Sequence, residues 1–334
     1  MMKNKTILLV GGCGFIGHNL AIKLKKMGYE PVVVDSLQIN NILSIKDTSE
    51  NKFKLNEKIL KQRIDLLNEN KIRLFIQDSR DYNSITRLYK IINPSKIFHL
   101  AAVSHANESI KNPHNTFDHS LRTLENTLDF ARGNKIHVIY LSSSMVYGNF
   151  NERIVDEDSQ CDPLEIYGSL KLAGELIVKA YQRVYDLPFT IIRPSALYGE
   201  RCVSRRVGQI FIESAINKEP LKISEGGQEK LDFTYIDDFI EGLSRCCEYE
   251  EAKNQIFNLT FGNGRQIIDL IKILENNFPN IIVENVKRDK LIPKRGSLSI
   301  EKAKKFLKYS PKYDLETGYQ KYIDWYKSLF KIQS

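Results

Sequence analysis

Tyr167 and Lys171 stand four residues apart in IYGSLKLAGE, so a helix over this segment carries both side chains on one face. A tyrosine with the ordinary pKa of about 10 is ionised in only about one molecule per thousand at neutral pH, and an ammonium beside it favours the phenolate. Such a pair is suited to taking the proton from a hydroxyl that is being oxidised. Just upstream, YLSSSMVYG places Ser142, Ser143 and Ser144 at the end of an apolar run, where a serine hydroxyl can hold the reacting oxygen. The Tyr-x-x-x-Lys spacing is common on exposed helices, so its meaning depends on what accompanies it.

What accompanies it opens the chain. GGCGFIG follows TILLV, with Gly11, Gly14 and Gly17 between an apolar strand pattern and a helical one. Gly11 permits a tight turn, Gly14 lets the backbone approach a pyrophosphate, and Gly17 lets the helix pack close to the strand, with its N-terminal N–H groups facing the anion. Asp35 ends the next apolar run, PVVVD, where its carboxylate can accept from both hydroxyls of a ribose. A 2′-phosphate would be repelled by Asp35 and finds no adjacent arginine in the sequence, so NAD is expected rather than NADP. In QDSRD, Asp78 is expected within reach of the adenine amino group, and Ser79 supplies a backbone contact.

Groups so far apart in sequence need a scaffold that collects them. Short apolar runs (TILLV, PVVVD, RLFIQD, KIFHLAA, HVIYLSS, FTIIRPS) alternate with helical patterns at 17–27, 54–70, 83–92, 116–132 and 165–185. Val- and Ile-rich strands without polar alternation, each followed by a helix, predict a parallel sheet covered on both faces: a Rossmann-type, doubly wound α/β fold. Residues 1–195 are expected to form the dinucleotide-binding domain, with an insertion at about 37–73. Residues 196–334 are expected to be mainly a smaller substrate-binding α/β cap, with helices at 206–217, 265–277, 299–307 and 315–330 and exchange of elements between the lobes allowed. KLNEKILKQRIDLLNEN, inside the insertion, has apolar residues at helical spacing and predicts a helix at an oligomer contact, over the cofactor, or packed on its own subunit.

Composition narrows the partners. The 49 Lys and Arg are scattered among 41 acids without aromatic-studded basic runs, so the net charge of +8 does not predict nucleic-acid binding. Cys13, Cys161, Cys202, Cys246 and Cys247 are odd in number and lack metal-ligand spacing, which predicts neither disulfides nor a metal site and favours a reduced, cytoplasmic setting. The N-terminal apolar run is too short for a membrane span and leads straight into the glycine loop.

Taken together, GGCGFIG, VVVDS, QDSRD, FHLAA, SSSMVYG, YGSLK, IIRPSALYGE, LDFTYIDD and KRGSLS resemble the extended short-chain dehydrogenase/reductase family over nearly the whole chain, in particular its NAD-dependent nucleotide-sugar epimerases and dehydratases. The resemblance implies Ser143, Tyr167 and Lys171 as the catalytic triad, with Tyr167 taking a proton from a sugar hydroxyl, usually at C4, and Lys171 holding the nicotinamide ribose and depressing the tyrosine pKa. Around NAD it implies Gly11, Gly14, Phe15, Ile16 and Gly17, then Asp35, Ser36, Asp78 and Ser79, then Leu100, Ala101 and Ala102, and finally Tyr167, Lys171 and Ser195. A homodimer or higher homo-oligomer, without membrane or nucleic-acid partners, and a place in polysaccharide biosynthesis are further implications.

Departures from the family pattern bear on the substrate. Family dehydratases carry Asp and Glu after the catalytic Ser or Thr; here Ser144 and Met145 stand there, and neither can serve as the acid or base of a 4,6-dehydratase. Ala196 replaces a substrate-holding Asn, and Leu231 replaces a diphosphate-binding Arg, with Lys230 beside it. Arg295 matches a second diphosphate arginine, while Arg201, Arg205 and Arg206 cluster after YG; Ser144, Arg201, Arg205, Lys230 and Arg295 are therefore expected at the nucleotide sugar. His99 is expected to be a core residue, and His105 and Asn107 to face the sugar. The expected function is an NAD-dependent nucleotide-sugar epimerase acting through a 4-keto intermediate. The alternatives are a sugar-nucleotide 4-dehydrogenase or reductase, a decarboxylase of a uronic sugar, and a non-enzymatic NAD-binding sensor or scaffold.

Overall fold

The computed structural model describes residues 4–39, 41–44, 50–103, 106–150, 154–289 and 291–331. Among them, seven parallel strands form the central sheet: β1 (Thr6–Val10), β2 (Glu30–Asp35), β3 (Arg73–Ile76), β4 (Lys96–His99), β5 (His137–Leu141), β6 (Phe189–Arg193) and β7 (Gln255–Asn258), in the order β7-β6-β5-β4-β1-β2-β3. The two-residue period of a strand divides their apolar side chains between two cores. Leu8, Val10, Val32, Val34 and Ile97 pack on one face, whereas Ile7, Leu9, Val33 and Phe98 pack on the other. The second core continues without a break into the C-terminal half, through Phe211, Phe239, Leu270 and Tyr319.

Helices α1 (Phe15–Lys26), α2 (Glu50–Glu69) and α3 (Tyr82–Ile92) follow the first three strands. The single helix expected over 116–132 is instead Pro113–Phe117, one π-helical turn at Asp118–Arg122, and α4 (Thr123–Arg132). Such turns occur mostly as local bulges inside α-helices, frequently at functional sites, and here His119 within it and Thr123 directly after it line a cleft at the edge of the sheet. Helix α5 (Ile166–Tyr185) leads to β6. Beyond it, α6 (Val207–Asn217), α7 (Ile236–Arg245), α8 (Ile267–Glu275), α9 (Glu301–Leu307) and α10 (Leu315–Phe330) surround a cluster of buried tyrosines that includes Tyr198, Tyr235, Tyr319 and Tyr322. Sequence periodicity missed α7 and β7. The four residues QIFN are too short to stand out as a strand, yet they pair along β6 from Gln255 with Thr190 to Asn258 with Arg193.

A buried ion pair joins the C-terminal end of β6 to α5. Arg193, at the end of β6, donates through Nε and Nη2 to Glu175 at 2.9 and 2.6 Å, with side-chain exposures of 2% and 0%. Ser142 Oγ donates to the same carboxylate at 2.6 Å, and Arg193 Nη1 reaches Tyr147, whose hydroxyl donates to Asn258 at 2.8 Å. Glu175→Gln, which leaves the guanidinium without its counter-charge, is expected to lower the unfolding free energy by about 3–5 kcal/mol in urea titrations. The Glu175→Leu/Arg193→Met double variant is expected to lose less than the sum of the single losses.

Candidate active site

The turn from β1 to α1 builds the cofactor cleft. Gly11 adopts φ +78°, and a Cβ there would lie 2.7 Å from the backbone nitrogen of Ala101; at Gly17 a Cβ would lie 2.5 Å from Gly12 Cα. Gly14 caps α1 without a side-chain bond and no acidic residue occupies the first turn, so the opening N–H groups are left to a ligand. The cleft gathers Gly11, Gly14, Phe15, Ile16, Gly17, Asp35, Ser36, Asp78, Ser79, Leu100, Ala101 and Ala102. Asp35 accepts from Cys13 N–H at 2.9 Å and Leu37 N–H at 2.7 Å, one on each oxygen, which leaves lone pairs for ribose hydroxyls. Burial pushes the Asp35 pKa up, while these bonds and the charge of Arg63 act against it. Burial also tends to raise the Asp78 pKa, but the hydrogen bonds and charge of Arg80 more than offset it and hold the carboxyl below its usual range. A helix N-terminus open to an anion, an approach that a Cβ would block, and a ribose-facing carboxylate all fit a dinucleotide.

One expectation about this cleft is corrected. The primary sequence places no arginine near Asp35, but Arg63 of α2 lines the same cleft, brought there by the fold of the insertion. Its Nε and Nη2 donate to the backbone oxygen of Arg201.

Ser143 begins the helical turn Ser144–Tyr147, and its Oγ accepts from Met145 N–H at 3.2 Å. Glu165 caps α5: its two oxygens accept from the N–H groups of Tyr167 and Gly168, both at 2.7 Å, which fixes Tyr167 at the helix start. Lys171, one turn on, donates to Leu141 O at 2.6 Å, and its nitrogen lies 5.9 Å from the centre of the Tyr167 ring. The electrostatics differ from the sequence expectation of a depressed tyrosine. Burial raises the Tyr167 pKa, with the Ser143 hydrogen bond and the charge of Arg206 acting in the opposite direction. Burial also lowers Lys171 to about 7, with Glu175 acting against it. Removal from water dominates both groups, so each is held toward its neutral form.

Ser143, Ser144 and Tyr167 open on a second cavity of about 500 Å³, the size of a small-molecule site. Arg205, Arg206, Arg288 and Arg295 line it, and Arg206 lines the cofactor cleft as well. Arg295 is pulled to about 10 by burial, and its Nε is buried with no hydrogen-bond partner among the described residues. Ala196 and Leu231 are on the wall, and Arg288 is paired with Glu229.

Several expected residues lie elsewhere. Ser195, expected at the cofactor, lines the larger cavity instead, beside Pro194 and Ala196. Arg201, expected at the substrate, lines neither site; its Nε donates to His18 at 3.2 Å. Lys230 is exposed on a short strand and borders a smaller adjoining recess with Arg288 and Arg295 rather than the cavity itself. His99 is buried, 3.1 Å from Thr127 Oγ1, as expected of a core residue. The side chains of His105 and Asn107 lie outside the described residues. Sequence reasoning missed Arg63, Glu165 and Arg288. Arg63 alone left a signal, a cation within an apolar helical stripe. Among the described residues, no group of His, Cys, Asp and Glu could hold a metal ion.

The state of Lys171 has a consequence for stability. Its folded value of about 7 lies below the ordinary 10.5, so between these pH values the unfolded chain binds the extra proton. Stability therefore rises with pH across this window. Relative to Lys171→Met, wild type is expected to gain stability from pH 7 to pH 10 in urea unfolding; a constant difference would contradict the burial argument.

The sequence model of the NAD dependent epimerase/dehydratase family matches residues 7–260. The chain is 26% identical to UDP-glucuronate 4-epimerase 4 of Arabidopsis thaliana, covering 97% of this chain and 76% of that protein. It is 28% identical to a putative UDP-glucose 4-epimerase of Methanocaldococcus jannaschii, covering 96% and 98%. The fold is similar to the crystal structure of UDP-glucuronic acid 4-epimerase from Bacillus cereus in complex with UDP-glucuronic acid and NAD, with a TM-score of 0.87 at 26% identity, covering 97% of this chain and 99% of that one. The family match runs from within β1 to just past β7 and so takes in nearly all of the central sheet: the chain belongs to the NAD dependent epimerase/dehydratase family.

Proposed function

We propose that this protein is an NAD-dependent 4-epimerase of a nucleotide-activated sugar. The arrangement that carries the reading is Ser143 and Tyr167 opening on a cavity walled by Arg288 and Arg295, with Arg206 shared between that cavity and the dinucleotide cleft. Gly11, Gly14 and Asp35 would hold the cofactor, and NAD bound there supplies reversible hydride acceptance. Ser143 positions the sugar hydroxyl, and Tyr167 removes its proton as the carbonyl forms and returns it after the 4-keto sugar has turned its other face. Arg206 favours the phenolate during that transfer. The arginines take the diphosphate, and the buried, unpartnered Nε of Arg295 marks one place for it. The likeness to the Arabidopsis and Bacillus UDP-glucuronate 4-epimerases supports a UDP-sugar with inversion at C4.

Residues 1–195 serve as the dinucleotide domain and 196–334 mainly as the sugar-nucleotide cap, with β7 returning to the sheet. A homodimer is assigned to the face of α5 and the neighbouring helix Pro113–Phe117, where Phe117, Leu176 and Val184 are exposed. Among the described residues no helix is long and apolar enough to cross a membrane. The free, largely buried thiols accord with a reducing cytoplasm, and a sugar-nucleotide product accords with polysaccharide biosynthesis.

Incubation with UDP-glucuronic acid, UDP-glucose and their GDP-, dTDP- and CDP-linked counterparts, followed by NMR of the products, tests the reading. One sugar nucleotide is expected to equilibrate with its C4 epimer without net NADH. Tyr167→Phe preserves ring volume and should leave folding and NAD binding intact while lowering turnover by about 10²- to 10⁴-fold; turnover near the wild-type rate would rule the mechanism out. Because Ser144 and Met145 supply no acid or base, mass spectrometry of the products should reveal no 4-keto-6-deoxy sugar.

A further inference from the structure

Helix α2 belongs to the segment between β2 and β3, which is longer than a crossover requires. Ile59, Leu60, Arg63 and Leu67 recur at helical spacing and are all buried, with Arg63 only 1% exposed. A guanidinium in that stripe needs partners, and Arg63 donates twice to one acceptor, the backbone oxygen of Arg201, at 3.0 and 2.5 Å. That oxygen belongs to a turn in which Gly199 has φ +139° and Arg201 φ +63°, a backbone course most side chains disfavour. The Arg201 side chain donates in turn to His18 Nε2 at 3.2 Å, and the His18 Nδ1 lies 2.9 Å from Gly14 O. The contacts therefore form a chain from α2, through the turn at 199–206, to the N-terminus of α1. Arg63, Val203, Ser204 and Gly14 all line the cofactor cleft.

We propose that Arg63 is a positioning residue for the cofactor: by fixing the Arg201 turn against the cleft, it makes the insertion helix a latch that retains the dinucleotide from one turnover to the next. The proposal rests on the reading of this cleft as an NAD site. It gives the insertion a role suited to that reading, since an enzyme that returns its hydride within each cycle has no need to exchange cofactor. The acceptor is a main-chain oxygen, so the link is insensitive to the side chain at 201 and depends on the fork of Arg63.

NAD release from wild type, Arg63→Lys and Arg63→Gln, each checked for folding by near-ultraviolet circular dichroism, tests this. Release is expected to quicken by about tenfold or more in Arg63→Gln, the scale of a lost charged hydrogen bond. Arg63→Lys, which keeps the charge but has one donor nitrogen in place of the fork, should fall between it and wild type. Hydrogen exchange on wild type provides a measurement that requires no variant: NAD should slow exchange in both 57–66 and 200–206. Wild-type release from folded Arg63→Gln, or exchange in 57–66 unchanged by NAD, overturns the latch while leaving the cleft reading in place. A wild-type protein that binds no NAD by calorimetry overturns both.

Discussion

Glu175 and Arg193 meet where no water reaches, and much of the site is arranged around that contact. Two charges withdrawn from solvent are tolerable only when each is paired and its remaining hydrogen-bonding capacity is satisfied. Here the remaining capacity is met by Ser142, Tyr147 and Asn258, which bring together the end of β5, the turn after it, α5, and the last strand of the sheet. Ser143 follows Ser142 directly, and Lys171 lies one helical turn before Glu175. The hydroxyl and the lysine amino group that flank Tyr167 are thus placed by a network that does no chemistry itself.

Desolvation is the common theme of the groups that do. Asp35, Tyr167, Lys171 and Arg295 are all displaced by burial toward their neutral forms. Left alone, each would weaken the fold. A ligand bearing ribose hydroxyls, a reacting hydroxyl and a diphosphate supplies what each group lacks, so binding and electrostatic relief coincide. Polar groups already dehydrated and oriented need little reorganisation when charge develops.

The dinucleotide half was legible because its signals are local: GGCGFIG is a turn whose glycines are required by close backbone contacts, and the first six strands are short, mainly apolar runs. Tyr167 and Lys171 were legible because a helix converts spacing into adjacency. What escaped depended on distance along the chain. Arg63 reaches Asp35's cleft only after the insertion folds back. Arg201 sits in a motif that looks substrate-facing, yet it lines neither site, and Ser195, expected at the cofactor, lines the larger cavity instead. Arithmetic of charge along the chain could not predict that burial would outweigh Ser143 and Arg206 at Tyr167, because desolvation belongs to the packed state.

The position of β7 has a consequence for how the protein is made. The outer edge of β6 is completed by residues 255–258, so about three quarters of the chain must leave the ribosome before the sheet can close. Until then β6 presents unpaired N–H and C=O groups beside Ile191 and Ile192, the kind of edge that invites pairing with another nascent chain. Arg193 waits equally long for the Asn258 end of its network. The N-terminal half therefore emerges as an unfinished sheet, and protection of that edge during synthesis falls to the folding machinery of the cell or to the speed with which the later strand arrives.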